Sequence, residues 1–313
     1  MRIAFVFPGQ GSQSVGMLAG FADNEVVQGV MARADAALGF SLTGLIAEGP
    51  AETLSLTVNT QPAMLASSVA FYEAWRQAGG PEPEMLAGHS LGEYSALCAA
   101  GAMSLETAVK LVRFRAEAMQ SAVPVGVGGM AAVMGLKDED VLAACEEARE
   151  AGRVEAVNFN APGQVVIAGE KAAVERAIEC AKARGCRRAI VLPVSAPFHS
   201  SLMQPAADKL AARLADTPIT VPAIPVVANV DVQVHETADD IRAALARQAA
   251  GAVQWVRTIE RMKAAGITDI VECGPGKVLT GLLRRTAPEI NGHNIFDAAS
   301  LAAVLDKLNQ PTE

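Results

Sequence analysis

One short segment of the chain has the residue types and spacing of a serine nucleophile. Gly88-His89-Ser90-Leu91-Gly92 follows the pattern Gly-x-Ser-x-Gly, which places a serine on a sharp turn between a strand and a helix. The two glycines leave room for a turn that side chains would obstruct. Backbone N–H groups at the start of the following helix can then stabilise a developing oxyanion. The alternative, a glycine-flanked serine that only closes an ordinary turn, is not excluded by these five residues alone.

A serine nucleophile needs a base, and the sequence offers four histidines. His89 adjoins Ser90, so we expect its side chain to diverge from the serine. His235 lies in a polar segment where we expect it to be solvated, and His293 lies in a predicted turn. His199 is the best candidate, because it lies in a proline-flanked loop and catalytic residues gather on such loops. No aspartate between serine and histidine is an evident third member, so a dyad in which a carbonyl orients His199 fits as well as a triad.

A cation interrupts the apolar face of a predicted helix over residues 105–122, for which Ser104 is the predicted N-cap. At 100° per residue, Arg115 falls near the middle of the apolar stripe. Its guanidinium needs a partner, since an unpaired buried charge is strongly destabilising. Arg115 either pairs with a structural carboxylate or awaits an anionic ligand. The helix alone favours the structural pair, because buried arginines are usually paired within the protein.

The elements around these residues predict an α/β fold. The predicted strands on either side of a central insert lie at 2–7, 83–87, 224–230 and 268–273. The predicted helices that alternate with them lie at 25–38, 61–78, 105–122, 201–214, 239–250 and 257–265, with a last major helix ending at 285. This alternation implies a mainly parallel sheet.

The central insert changes the order of elements. Between residues 130 and 194 the predicted order is β-α-β-β-α-β, which is the ferredoxin-like order. We therefore predict a large domain formed by residues 1–124 and 198–313. A small ferredoxin-like domain, 125–197, is inserted into it.

Composition excludes several classes of function. Hydrophobic residues make up 51% and charged residues 19% of 313, which allows a sizeable core, and the net charge is -8. No run of Lys or Arg indicates a nucleic-acid site, and the apolar run at the N-terminus is too short for a signal peptide or a membrane span. The five cysteines form no C-x-x-C pair, which argues against a disulfide framework and a zinc site. We expect a cytoplasmic protein that binds no metal, membrane or nucleic acid.

Four segments together resemble one family, the malonyl-CoA:acyl carrier protein transacylases, and the resemblance runs from about residue 2 to about residue 305. The segments are Phe7-Pro8-Gly9-Gln10-Gly11-Ser12-Gln13, Gly88-His89-Ser90-Leu91-Gly92-Glu93-Tyr94-Ser95, Phe159-Asn160-Ala161-Pro162-Gly163-Gln164 and Gly274-Pro275-Gly276-Lys277-Val278-Leu279. Each segment is unspecific alone, but their combination is highly specific. The resemblance implies an α/β-hydrolase-like large domain that carries a ferredoxin-like small domain.

The resemblance also implies roles for individual residues. Ser90 corresponds to the family's nucleophile and His199 to its base, which a main-chain carbonyl at the position of Gln248 orients. The oxyanion hole corresponds to the backbone N–H groups of Gln10 and Leu91. The family arginine that binds the malonyl carboxylate corresponds to Arg115, which reverses the preference drawn from the helix alone.

The expected function is transfer of a malonyl group from malonyl-CoA to the phosphopantetheine thiol of acyl carrier protein, as in fatty acid biosynthesis. A malonyl-serine ester is the intermediate, and no cofactor is needed beyond the coenzyme A thioester that serves as substrate. We expect the protein to act as a monomer. The alternative is a serine hydrolase or thioesterase with water as second nucleophile, and a buried Arg115 favours the transferase. A silent docking module for carrier proteins is a further alternative, against which the intact Ser90, His199 and Arg115 argue.

Overall fold

Two β-sheets organise the chain, and the computed structural model describes them through residues 1–194 and 196–309. The strands are β1 (Ile3–Phe7), β2 (Met85–Gly88), β3 (Gly128–Met134), β4 (Val154–Ala161), β5 (Gln164–Glu170), β6 (Arg188–Val191), β7 (Val226–Val227), β8 (Asp269–Cys273) and β9 (Asn291–Ile295). The helices are α1 (Glu25–Leu38), α2 (Leu42–Glu48), α3 (Ala51–Leu54), α4 (Thr57–Gln77), α5 (Leu91–Ala99), α6 (Leu105–Gln120), α7 (Asp138–Glu147), α8 (Lys171–Ala183), α9 (Gln204–Ala215), α10 (Ala238–Ala249), α11 (Trp255–Ala264), α12 (Val278–Thr286) and α13 (Ala298–Leu308). Ser195 of the predicted small domain and residues 310–313 of the predicted large domain lie outside the described residues.

The larger sheet has the strand order β7-β2-β1-β8-β9, and every pairing in it is parallel. The central strand β1 is buried along its whole length. Its register with β2 pairs Phe7 with Gly88, so the two strands end at the same edge of the sheet. In open parallel sheets ligands bind outside the carboxyl ends of the strands, which is where Ser90 lies.

The smaller sheet has the order β4-β5-β3-β6 with antiparallel pairing throughout. This is the strand order of a ferredoxin-like fold, so the predicted fold class is confirmed. Side chains alternate across β3, as the period of a strand requires. Ala131 and Val133 pack against α7 and α8, whereas Met130 and Ala132 face the opposite way. That opposite face forms one wall of the cleft described below.

Two predictions of local structure are wrong near the ends of buried elements. Helix α4 begins at Thr57 rather than at residue 61, so Pro62 lies inside it. The hydroxyl of Thr60 fastens its first turn by donating to the carbonyl oxygen of Leu54 at 2.6 Å. The strand predicted at 224–230 contains only Val226–Val227. The N–H of Asn229 turns away from the sheet, because it donates to the carboxylate of Glu93 at 2.9 Å.

The predictions for His293 and His235 are also wrong. His293 lies on the edge strand β9, where its ring contacts the carboxylate of Asp269 at 2.9 Å. All five residues of this strand pair with β8, but Ile295 is its one large apolar side chain, so its polar sequence resembles a turn. The side chain of His235 is only 16% exposed and lies 3.4 Å from Asp231. Helix α13, which was not predicted, follows β9 and begins with a capping box at Asp297.

Within the described residues, no single helix has both the length and the apolar character required to cross a membrane. Helices α1 and α2 meet that test only when taken together, across a bend of 117°.

Candidate active site

The turn that carries Ser90 is so tight that only glycine fits on either side of it. A Cβ atom added to Gly88 would lie 1.9 Å from the backbone of Gly92, and one added to Gly92 would lie 2.0 Å from the carbonyl oxygen of Phe7. Ser90 itself has φ of 53°, a conformation that non-glycine residues rarely adopt. The spacing of glycine in the sequence therefore reflects the close approach of β1, β2 and α5.

His199 lies against Ser90, although 109 residues separate them. Its Nε2 is 2.7 Å from the hydroxyl oxygen of Ser90, and its Nδ1 is 2.9 Å from the carbonyl oxygen of Gln248. A carbonyl oxygen can only accept, so Nδ1 carries the proton and Nε2 has a lone pair for the serine. Burial, reinforced by the charge of Arg115, lowers the pKa of His199 to about 3, so its ring is neutral near pH 7.

The other histidines do not reach the serine hydroxyl. His89 is buried beside Ser90, but its Nε2 lies 2.7 Å from the side-chain oxygen of Asn160 on β4. Its ring packs against Trp255 at a centroid distance of 5.4 Å. His89 thus connects the serine turn with strand β4 of the smaller sheet. Burial lowers the pKa of its ring.

Arg115 is 1% exposed, and within the described residues its guanidinium donates hydrogen bonds to neutral groups. It donates to the side-chain oxygens of Gln61 at 2.8 Å and Gln248 at 2.9 Å, and to the hydroxyl of Ser90 at 3.2 Å. Its Nε is buried without a partner, and no carboxylate of the described residues accepts a hydrogen bond from its guanidinium. The structural ion pair that the helix alone favoured is therefore absent from the described residues. Burial lowers the pKa of Arg115, an effect opposed by nearby Tyr94 and Glu93.

Gln10 and Leu91 belong to two different elements. Gln10 belongs to the glycine-rich loop after β1, and Leu91 is the first residue of α5. Both line the same cavity as Ser90. Neither backbone N–H has a hydrogen-bond acceptor among the described residues, so both can donate to an oxyanion.

The cavity lies between the two sheets and has a volume of about 290 Å³. Its walls differ in polarity. Apolar side chains on the small-domain side and the loop after it are Met130, Val166, Leu192, Val194 and Phe198. Asn158, Asn160 and Gln164 add polar groups, and Arg115, Ser90 and His199 line the same cavity. The cavity can therefore hold an extended ligand that carries a small anionic group. No cluster of His, Cys, Asp or Glu suited to a metal ion occurs in the described part of the chain.

A family model and three known proteins match nearly the whole chain. A family model for the acyl transferase domain matches residues 4–309. The malonyl CoA-acyl carrier protein transacylase of Escherichia coli strain K12 is 52% identical over 306 residues, which cover 97% of this chain and 99% of that relative. The crystal structure of an acyl-carrier-protein S-malonyltransferase from Burkholderia pseudomallei 1710b superposes with a TM-score of 0.97 at 57% identity, covering 98% of this chain and 100% of the other. A malonyl-transacylase in complex with its type II PKS acyl-carrier protein gives a TM-score of 0.97 at 47% identity, with coverage of 98% and 100%.

The chain belongs to the malonyl-CoA:acyl carrier protein transacylase family. Two buried residues around the serine of this transacylase chain were not predicted from the sequence. Asn229 accepts the N–H of Ser90 at 2.6 Å and donates to the carbonyl oxygen of Gly88 at 2.7 Å, so it spans the turn. Its position just after β7, at the carboxyl end of a parallel strand, was the available signal.

The second missed residue is Glu93, which is 2% exposed and lies in the first turn of α5. Burial raises the pKa of its carboxyl group to about 7. The side chain of Gln248 has a role beyond its carbonyl, since its amide nitrogen donates to Glu93 at 2.7 Å and to the carbonyl oxygen of Ser90 at 2.9 Å. A charged residue directly after the glycine turn was the signal for Glu93, but sequence alone does not show which groups it meets.

Proposed function

We propose that this chain transfers a malonyl group from malonyl-CoA to the phosphopantetheine thiol of acyl carrier protein, through a malonyl ester on Ser90. The observation that carries this proposal is Arg115, a buried cation 3.2 Å from the serine hydroxyl with no carboxylate bound to it. Acyl groups that end in a carboxylate supply the missing partner. The names of the relatives, which are malonyl transacylases, support the same substrate.

In the first half-reaction, Ser90 Oγ attacks the thioester carbonyl carbon while its proton passes to Nε2 of His199, 2.7 Å away. The oxygen of the tetrahedral intermediate accepts hydrogen bonds from the N–H groups of Gln10 and Leu91. The C–S bond then breaks, and the departing coenzyme A thiolate takes the proton from His199. The carbonyl of Gln248 stabilises the imidazolium that exists between these two events.

The second half-reaction reverses the first with a different thiol. The phosphopantetheine thiol of the carrier protein gives its proton to His199 and attacks the ester, and the ester oxygen recovers the proton as Ser90. The carboxylate stays on Arg115 through both steps. The chemistry uses no metal and no redox cofactor, and coenzyme A enters only as substrate and product.

We also infer that the protein works as a cytoplasmic monomer that binds neither membrane nor nucleic acid. All groups of the proposed site come from one chain. The five cysteines are free, which suits a reducing compartment. Light scattering on a sizing column measures the oligomeric state, and a dimer mass would contradict the inference.

The test is intact mass after incubation with malonyl-CoA, first alone and then with holo acyl carrier protein. We expect one malonyl adduct on Ser90, which disappears as the carrier gains the same mass. Ser90→Ala should form none, whereas the matched variant Ser12→Ala, which changes another serine of the cavity, should form it. An adduct on a different residue would refute the proposed nucleophile. Release of free malonate without gain by the carrier would indicate the hydrolase instead.

A further inference from the structure

The buried carboxylate of Glu93 lies outside the cavity and connects Asn229, which contacts Ser90, with Gln248, which contacts Arg115. Glu93 does not line the cavity that holds Ser90 and Arg115. It is nevertheless only 2% exposed, and burying a carboxylate is unfavourable unless donors satisfy it. Its contacts therefore indicate what it contributes.

One oxygen of Glu93 accepts two hydrogen bonds from different elements. The donors are the backbone N–H of Asn229 at 2.9 Å and the side-chain amide nitrogen of Gln248 at 2.7 Å. Asn229 follows β7, whereas Gln248 lies near the end of α10. A single acceptor thus joins two segments that are distant in sequence.

The contact with Gln248 leads to the carboxylate-binding end of the cavity. The amide nitrogen of Gln248 donates to Glu93 and to the carbonyl of Ser90, so its amide oxygen faces Arg115 at 2.9 Å. Both groups that meet the nitrogen are acceptors, and both therefore select this orientation of the amide. In the described part of the chain, Gln61 is the one other amide that accepts a hydrogen bond from the guanidinium of Arg115.

The contact with Asn229 leads to the nucleophile instead. Asn229 binds the N–H of Ser90 and the carbonyl of Gly88, and so supports the unusual backbone of the serine turn. Loss of the support that Asn229 gives to the serine turn should lower the acylation rate for every acyl substrate alike, because each substrate reacts with Ser90. Loss of the Gln248 contact should affect chiefly substrates that use Arg115.

We propose that Glu93 is a positioning residue for substrate specificity, which fixes the Gln248 amide and through it the guanidinium of Arg115 for a carboxylated acyl group. This inference rests on the proposed function, since it concerns the same site. The proposal requires that the side chain at position 93 accept hydrogen bonds from Asn229 and Gln248. Glutamine at position 93 satisfies this requirement, because its oxygen can meet both donors, whereas leucine does not.

The test compares Glu93→Gln, Glu93→Leu and Asn229→Ala by rates of acylation with malonyl-CoA and acetyl-CoA. We expect Glu93→Leu to lower the malonyl-to-acetyl ratio of kcat/KM by about tenfold or more, the loss of one charge-assisted hydrogen-bonded contact. Glu93→Gln should keep the ratio within about threefold, which is less than half a decade. Asn229→Ala should lower both rates by a common factor and leave the ratio unchanged.

Melting temperatures separate specificity from loss of fold. If Glu93→Leu does not fold, Gln248→Leu tests the same contact, because it keeps the main-chain carbonyl that binds His199, and it should also lower the ratio. Equal losses for both substrates in the folded leucine variant would overturn the inference, as would a ratio in Glu93→Gln as low as that in Glu93→Leu. If the wild-type protein forms no malonyl ester at all, the proposed function fails instead, so the two failures are distinguishable.

Discussion

Replacing Arg115 with alanine removes the cation that we propose binds the malonyl carboxylate. Breaking a buried ion pair by removing one partner costs about 3–5 kcal/mol. At 1.4 kcal/mol per decade, Arg115→Ala should lose about 10²- to 10³·⁵-fold in kcat/KM for malonyl-CoA. Acetyl-CoA has a methyl group in place of the carboxylate, so the variant should keep or gain activity with that substrate.

The contacts of Arg115 also set the expected effect on folding. Its hydrogen-bond partners are the neutral side chains of Gln61, Gln248 and Ser90, so no carboxylate of the described residues loses a hydrogen bond in the variant. Two buried amide oxygens lose a donor, at a cost of about 1–3 kcal/mol each, and removal of an unpaired buried charge offsets this loss. We therefore expect only a small change in melting temperature.

The assay is the rate of acyl-serine formation with each thioester, measured together with melting temperature. Arg113→Ala is the matched control, because Arg113 lies on the same helix but is partly exposed, with Glu117 at 3.3 Å. It should leave both rates nearly unchanged. Arg115→Lys should recover little activity with malonyl-CoA, because an ammonium cannot form the two parallel bonds of a guanidinium. Equal losses with both substrates, or a large fall in melting temperature, would show that Arg115 has a structural role.

Three further predictions concern the proposed base, its effect on stability with pH, and the surface that meets the carrier protein. His199→Ala should slow both half-reactions about 10²- to 10⁴-fold in single-turnover kinetics, and a larger loss in folded His89→Ala would mean that the wrong base was identified. Because the pKa of His199 falls from 6.5 to about 3 on folding, the unfolded chain binds a proton between these values that the folded protein does not. As pH decreases through that window, the free energy of unfolding of the wild type should therefore fall relative to that of His199→Gln, by up to about 1.4 kcal/mol per pH unit. The same pH dependence of the unfolding free energy in both proteins would contradict this. Charge reversal at the exposed Arg187 and Arg284 should raise KM for acidic acyl carrier protein but not for malonyl-CoA, and an unchanged carrier KM would refute a basic docking patch.

Sequence alone identified the elements whose patterns arise from local contacts. Gly88 and Gly92 are four residues apart, and a Cβ atom on Gly88 would lie 1.9 Å from the backbone of Gly92, so their spacing predicted the turn around Ser90. The ferredoxin-like order followed from strand and helix periods, which depend on neighbours in sequence. The position of Arg115 on an apolar stripe predicted its burial, although not which groups it would meet.

The missed features depend on contacts between distant segments. Asn229 meets Ser90 across 139 residues, and the carboxylate of Glu93 meets Gln248 across 155 residues. Neither pair leaves a periodic pattern in the sequence. Strand β9 was missed for a related reason, since pairing with β8 holds it at the edge of the sheet and its polar side chains do not indicate burial.

The surroundings of Arg115 explain how an unpaired cation is tolerated inside the protein. Two amide oxygens accept from its guanidinium, and the ring of Tyr94 lies 5.2 Å from its central carbon. These neutral partners only partly replace water, as the lowered pKa of Arg115 indicates. A carboxylate that arrives with the substrate therefore relieves an electrostatic cost already present in the free protein, and an uncharged acyl group does not. The same positive charge helps to keep His199 neutral, so one buried residue favours both the required substrate and the protonation state of the base.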